Sequence, residues 1–216
     1  MGKIVDYNLT EEISHGINVS RLARDVTRVL GHDEKMQYDM ALAGMLHDIG
    51  KLRLTNYIYG EATAESPLMI EEMKYVRMHS LLSYNIVKSR GYNARVCETI
   101  LYHHENMDGS GYPENLSGED IPEGSRIIRV CDVFAALTTD RPYRKSFTKD
   151  EALSLMIDEI NSFDMRVFLA FEHVVHKVAT SYQPCLPDLD GMLLEGLTGV
   201  DRILREKRLG SDSENR

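Results

Sequence analysis

Three cysteines, no unbroken apolar run of about 18 residues and a shortage of basic side chains set the first limits on this 216-residue chain. Cys97, Cys131 and Cys185 are few, odd in number and widely spaced, which excludes a disulfide framework and fits a reducing cytosol. The missing apolar run removes any expectation of a membrane span, and the opening segment MGKIVDYNLTEEI has no signal-peptide core. Asp6 stands where N-myristoylation requires Ser or Thr. The expected location is therefore cytoplasmic. Asp and Glu number 34 against 25 Lys and Arg, a net charge of -9, so a nucleic-acid polymer is not expected as a partner. A small anionic substrate stays open, because bound metal ions and a few basic residues can invert the field locally. With 43% hydrophobic residues the chain can bury a real core, and one main domain is expected.

What the chain does have is helical periodicity. Ile17, Leu22, Val26, Val29 and Leu30 form one stripe over 17–30, followed by Gly31 as a stop. The pattern repeats over 36–50 with Met40, Ala43, Gly44 and Leu46. Further helices are predicted over 70–90, 94–105, 126–139, 148–160 and 164–178, and the Gly-, Pro- and Asn-rich segment 107–125 reads as a loop. The expectation is an all-α bundle. From Pro184 the periodicity weakens: LLEGLTGVDRIL is compatible with a short C-terminal β-hairpin, and GSDSENR with a frayed tail. Residues 1–183 are expected to form the main domain and 184–216 a partly disordered extension.

The polar residues placed inside these apolar helices carry the chemistry. LHDIGK supplies His47 and Asp48, and HHENMDGSGYP supplies His103 and His104. Asp132 lies in the apolar context VCDVF, where an unpaired carboxylate would be costly. His79 has apolar neighbours, and Glu11 and His15, four apart, share one helix face. Taken singly, His79 reads as a hydrogen-bonded core residue and Glu11 with His15 as a solvated face. Taken together, Glu11, His15, His47, Asp48, His79, His103, His104 and Asp132 form a nitrogen-and-oxygen ligand set large enough for more than one ion. Adjacent ligands on an ideal helix diverge by about 100°, so each adjacent pair is expected to feed different ions. A set without thiolates favours Fe, Mn, Zn, Co or Ni. Such a centre between helices points to metal-assisted hydrolysis. Lys51, three residues after Asp48, is placed to protonate a leaving group or hold a phosphate, with a surface lysine as the alternative. His32, His173 and His176 lack such company and read as structural or surface residues, and Cys131 as a small buried neighbour of Asp132.

Over roughly residues 8–172 the chain resembles the HD-GYP family, the branch of HD-domain phosphohydrolases that cleaves cyclic di-GMP. The resemblance rests on His47-Asp48-Ile-Gly-Lys51, on His103-His104-Glu105, on Asp108-Gly-Ser-Gly-Tyr112-Pro113, and on Asp132 in RVCDVFAAL. His79 matches the histidine of an HPxxG-like motif that reads HSLLS here, so Ser80 and Ser83 replace Pro and Gly. Asn18 stands where the family often has Arg, and Ala135 where it often has Asp. The resemblance implies an HD-domain helical bundle holding two or three divalent ions, Fe or Mn, with Glu11 and His15 serving the third. It implies hydrolysis of cyclic di-GMP to pGpG, with GMP as a further product, Asp48 and Lys51 as catalytic groups, and Gly109, Gly111, Tyr112, Arg141 and Arg144 as substrate contacts. Two alternatives stay open: an HD hydrolase of another nucleotide, and a low-turnover module that binds cyclic di-GMP or docks a protein partner through the GYP loop. A homodimer is compatible with either.

Overall fold

The computed structural model describes residues 9–52, 77–140 and 145–177. These build an all-α bundle with no strand among the described residues. We number its helices α1 (Leu9–Val29), α2 (Glu34–Leu46), α3 (His79–Ser89), α4 (Ala94–Leu101), α5 (Glu123–Thr138), α6 (Lys149–Asp158) and α7 (Met165–Lys177). No described helix is long and apolar enough to cross a membrane. The expected C-terminal hairpin and the extension 184–216 lie outside the described residues.

Local chemistry explains the boundaries. Gly31 takes a left-handed conformation at φ 85°, ending the first stripe, and Asp33 caps α2 by accepting from the Met36 N–H at 2.8 Å. Asn93 caps α4 through the Val96 N–H at 3.0 Å, and Thr148 with Glu151 forms a reciprocal capping box at the start of α6. α1 begins well before residue 17, so it carries Glu11 and His15 on the same rod as the core stripe. α4 stops at Leu101, short of the expected 105, and leaves Tyr102–His104 as a turn.

The core forms around α5, which packs against α1, α2, α4, α6 and α7. Val19, Leu22, Ala23 and Val26 of α1 meet Met40 and Ala43 of α2, and Ile127, Ile128, Cys131 and Phe134 face them from α5. Phe134 meets Phe171 of α7 edge-on, with centroids 5.0 Å apart. Each of the larger side chains among these, Val, Leu, Ile, Met or Phe, contributes about 1.5–3 kcal/mol by leaving water. Val29, by contrast, ends its stripe 41% exposed.

α1 and α2 cross closely because Gly44 has no side chain. A Cβ there would sit 2.8 Å from the Ser20 nitrogen and 2.9 Å from its Cα, against backbone that cannot rotate away. That crossing sets His15 against the end of α2. Gly44→Ala should therefore destabilise the fold by about 1–3 kcal/mol, the usual cost of overpacking. Urea unfolding would measure it; an unchanged midpoint would refute the close-crossing account.

Candidate metal centre

Ligand-type side chains from α1, α3, α5 and the turns following α2 and α4 converge on one buried volume. His15 comes from α1, His47 is the C-cap of α2, and Asp48 begins the turn after it. His79 opens α3, His103 and His104 lie in the turn after α4, and Asp132 lies on α5. Two groups result: Asp48, His79, His103 and His104 in one; His15, His47 and Asp132 in the other. Their ligand atoms lie within 4.8 Å of one another inside each group.

Asp48 links the two. Its Oδ1 lies 3.1 Å from His79 Nε2, while its Oδ2 lies 3.2 Å from His47 Nε2 and 3.9 Å from His15 Nε2. In the first group His79 Nε2 is also 3.3 Å from His103 Nε2 and 3.0 Å from His104 Nε2. In the second, Asp132 Oδ1 is 2.9 Å from His15 Nε2 and 3.5 Å from His47 Nε2. Imidazole nitrogens bound at about 2.0–2.1 Å to one ion stand about 3.0–3.4 Å apart for tetrahedral or octahedral angles. The two imidazole–imidazole spacings at His79, 3.3 Å to His103 and 3.0 Å to His104, fall in that range.

The outer partners aim the ligands. The His47 Nδ1–H donates to the Gly44 carbonyl at 2.8 Å, and the His103 Nδ1–H to the Ile100 carbonyl at 2.7 Å, so each ring turns its Nε2 inward. His47 Nε2 and Asp48 Oδ1 are buried without a well-formed hydrogen-bond partner. Orphaned donor atoms in so polar a cluster are accounted for by a cation, and the donor set suits a divalent metal.

The electrostatics agree. Burial would strip His47 of its proton, but Asp48 and Asp132 outweigh it and hold the pKa up at about 10. Burial would also raise both carboxyls, yet His47 and Lys51 pull Asp48, and His15 and His47 pull Asp132, well below the usual carboxylate range. Burial and neighbouring imidazoles push His103 well down, and His104 falls to about 3, chiefly through burial. One group thus draws positive charge onto itself while the other presents bare lone pairs. A metal ion held by these side chains would satisfy both, in place of the proton on His47.

Lys51 closes one side. Its Nζ is 2.5 Å from Asp48 Oδ2 and 3.6 Å from Glu12 Oε2; burial would lower its pKa, but the two carboxylates raise it. Glu11 lies outside both ligand groups, and it is Glu12, three residues before His15, that approaches Lys51. On the other side Tyr112 stacks on His104, centroids 4.7 Å apart at 27°, and Arg77 lies over the Tyr112 ring at 5.3 Å. The Tyr112–Pro113 peptide is cis. Gly109 takes φ 79°, and a Cβ on Gly111 would overlap the backbone of Glu105 and Asn106, so the loop folds directly against the turn that carries His104. Buried Glu105 ties the loop down by accepting from the Glu114 N–H at 2.7 Å. Arg141 and Arg144 lie outside the described residues.

The structure alters one expectation about the adjacent pairs. His47 and Asp48 do serve different groups, although Asp48 reaches both, but His103 and His104 belong to the same one, with ring centroids 4.0 Å apart. α4 has already ended at Leu101, so the angular rule of an ideal helix does not govern them. The replacement of Gly by Ser83 also has a local account: its buried Oγ accepts the Gly50 N–H at 2.8 Å, joining the His47–Lys51 turn to α3. Glu12, Asn106 and Arg129 went unread in the sequence, and Glu105 was read only as part of the His103-His104-Glu105 run. The available signal for Arg129 was its position one helical turn before Asp132.

The HD domain family model matches residues 1–167. The 3'3'-cGAMP-specific phosphodiesterase 1 of Vibrio cholerae is 36% identical over 172 residues, covering 78% of this chain and 39% of that protein. The cyclic di-GMP phosphodiesterase PA4108 of Pseudomonas aeruginosa is 35% identical over 162 residues, covering 74% of this chain and 38% of that protein. The chain thus spans about two fifths of the length of these curated relatives. Among solved structures, the HDGYP protein Bd1817 of Bdellovibrio bacteriovorus superposes with a TM-score of 0.59 at 21% identity, over 76% of this chain and 52% of that one. The HD domain of the L. monocytogenes phosphodiesterase PgpH in complex with cyclic-di-AMP gives 0.54 at 15% identity, over 80% and 92%.

Asp132→Ala removes the carboxylate that the second group shares between His15 and His47. The variant should lose about one divalent ion per chain relative to the parent protein, because the remaining imidazoles make an incomplete site. Elemental analysis after reconstitution would measure this, and full metal content in the variant would contradict the grouping.

Proposed function

The chain belongs to the HD-domain family, in its HD-GYP branch, and on that premise we propose that it hydrolyses a 3′,5′-phosphodiester bond of a cyclic dinucleotide, cyclic di-GMP before others. The linear dinucleotide pGpG is the first product, and GMP follows if the second bond is cut. The observation that carries this reading is the Asp48 carboxylate, which offers one oxygen to each ligand group. A carboxylate so placed suits a pair of ions that grip one phosphate between them.

Two or three divalent ions, Fe or Mn, fit the imidazole-carboxylate set. His79, His103 and His104 would hold one, His15, His47 and Asp132 another, and Asp48 both. Glu11, four residues before His15, is the remaining carboxylate for a third. Ions bound there supply positive charge against the phosphate oxygens and acidify water enough for it to attack at neutral pH.

The chain's own side chains do the rest. Lys51 stays protonated between Asp48 and Glu12, so it contributes fixed charge beside the phosphate rather than a titrating proton. Tyr112 is buried enough to stay a neutral phenol, and its ring, held against His104, offers a flat edge and a hydroxyl to the substrate. Gly109 and Gly111 keep the loop low enough for close approach. Arg141 and Arg144 are further phosphate contacts in this reading, through their planar forks. The relatives named for 3'3'-cGAMP and for cyclic di-GMP make both dinucleotides the substrates to assay.

Protein reconstituted anaerobically with Fe or Mn should release pGpG from cyclic di-GMP, and chelation should stop it. Loss of an outer-shell partner of a metal ligand typically costs 10–100-fold, so removing the ligand itself in His104→Ala should lower kcat by about 100-fold or more. Chromatographic product detection gives the result. Undiminished turnover in His104→Ala would remove the metal mechanism, and turnover of neither dinucleotide by the parent protein would remove the substrate.

A further inference from the structure

A cyclic dinucleotide carries two phosphodiesters, and only one at a time can lie against the His–Asp cluster. The other also has to be held by something in a chain whose net charge is -9. Most described arginines that approach carboxylates are already neutralised: Arg95 meets Asp39 at 2.8 Å and Arg28 meets Asp25 at 3.2 Å, and Arg166 pairs with Glu123. Among the described residues Arg126 and Arg129 are the arginines that are not exposed. Asp164 meets Arg126 at 2.6 Å, whereas no described carboxylate lies within 4.0 Å of Arg129. A half-buried guanidinium without a counter-charge is costly unless an anion arrives.

Arg129 is held in place by the neutral side chain of Asn106. Its Nε–H donates to Asn106 Oδ1 at 2.9 Å, Asn106 Nδ2 donates to Ser110 Oγ at 2.9 Å, and the Ser110 hydroxyl donates to Asp108 Oδ1 at 2.6 Å. That chain orients the guanidinium from the loop that carries Tyr112 and, though it ends on the Asp108 carboxylate, brings no described carboxylate within ion-pair range of Arg129. Its field reaches Tyr112, His104 and Asp108. Arg77 also has no described carboxylate within ion-pair range, and it lies 5.3 Å from the centre of the Tyr112 ring. Arg21 and Arg90 also lack such partners, but they are exposed and contact nothing of this loop.

Resting on the cyclic-dinucleotide reading above, we propose that Arg129, assisted by Arg77, holds the phosphodiester that is not being cleaved. The planar fork of Arg129 takes two of its oxygens while Nε keeps the bond to Asn106. Both arginines are positioning residues in this scheme: they set which phosphate faces the cluster and take no part in breaking the bond.

The test compares two substrates on the metal-loaded full chain. Cyclic di-GMP has a second phosphate, and bis(p-nitrophenyl) phosphate has a single diester that needs the cluster alone. Arg129→Gln removes the charge but keeps an amide able to bond Asn106, so a purely structural role would survive it. The expected result is a fall of about tenfold or more in the ratio of kcat/KM for cyclic di-GMP to that for the simple diester, expressed as a higher KM. KM for cyclic di-GMP should also climb less steeply with salt than in the parent protein, since one ionic contact is gone. Arg129→Lys should recover part of the ratio, and Arg77→Gln, at an exposed position where folding is not at stake, should lower it independently. Equal losses on both substrates, or no loss on either, would overturn the clamp. Cleavage of the simple diester with none of any cyclic dinucleotide, already visible in the parent protein, would instead overturn the substrate reading and the clamp with it.

Discussion

The arrangement depends on one carboxylate placed between two sets of imidazoles. Asp48 can face both because α2 ends at Leu46: His47 caps the helix and Asp48 already lies in the turn. The Gly50 N–H bond to Ser83 then fixes the turn against α3, whose first residue is His79. The position of each ligand follows from this junction, since His15 reaches it through the α1–α2 crossing and Asp132 through the packing of α5 on both helices.

Placing Asp48, Asp132 and five imidazoles in a buried volume opposes folding unless the charges are met. Without a metal ion the cluster compensates by keeping His47 protonated between the carboxylates. That compensation is local and incomplete. His103 and His104 are driven to their neutral forms by burial, and His47 Nε2 and Asp48 Oδ1 still lack well-formed partners. Metal binding and the stability of the bundle are therefore linked, because the ion favours the folded arrangement that converges its ligands.

Much of this was legible in the sequence, and the failures are local. Helix periodicity located the bundle, and polar residues in apolar stretches located the side chains that converge on the cluster, because few other reasons place Asp132 or His79 there. Grouping was not legible. Whether His103 and His104 face one ion or two turns on α4 ending at Leu101, and no strong stop signal precedes Tyr102 in the sequence. The approach of Glu12 to Lys51 was not legible, because it depends on the rotation of α1 against the turn after α2. Ser83 read as a loss because a motif records only the absent glycine, whereas its hydroxyl bonds a turn 33 residues earlier. The segment of Gly109, Gly111 and Tyr112 was legible as a loop from its composition, but its anchoring by Glu105 was not.

The same helix that buries the core also sets the two sides of the site. On α5, Ile127, Ile128, Cys131 and Phe134 are buried among apolar partners, while Arg129 and Asp132 come one turn apart toward the cluster and the Tyr112 loop. The carboxylate serves the ligand group and the guanidinium the loop, so a single rotation of this rod would move both at once. Because α5 packs against α1, α2, α4, α6 and α7, that rotation is resisted from all of them. Core packing therefore fixes the backbone spacing between Asp132 and Arg129, while the bond to Asn106 sets where the guanidinium points.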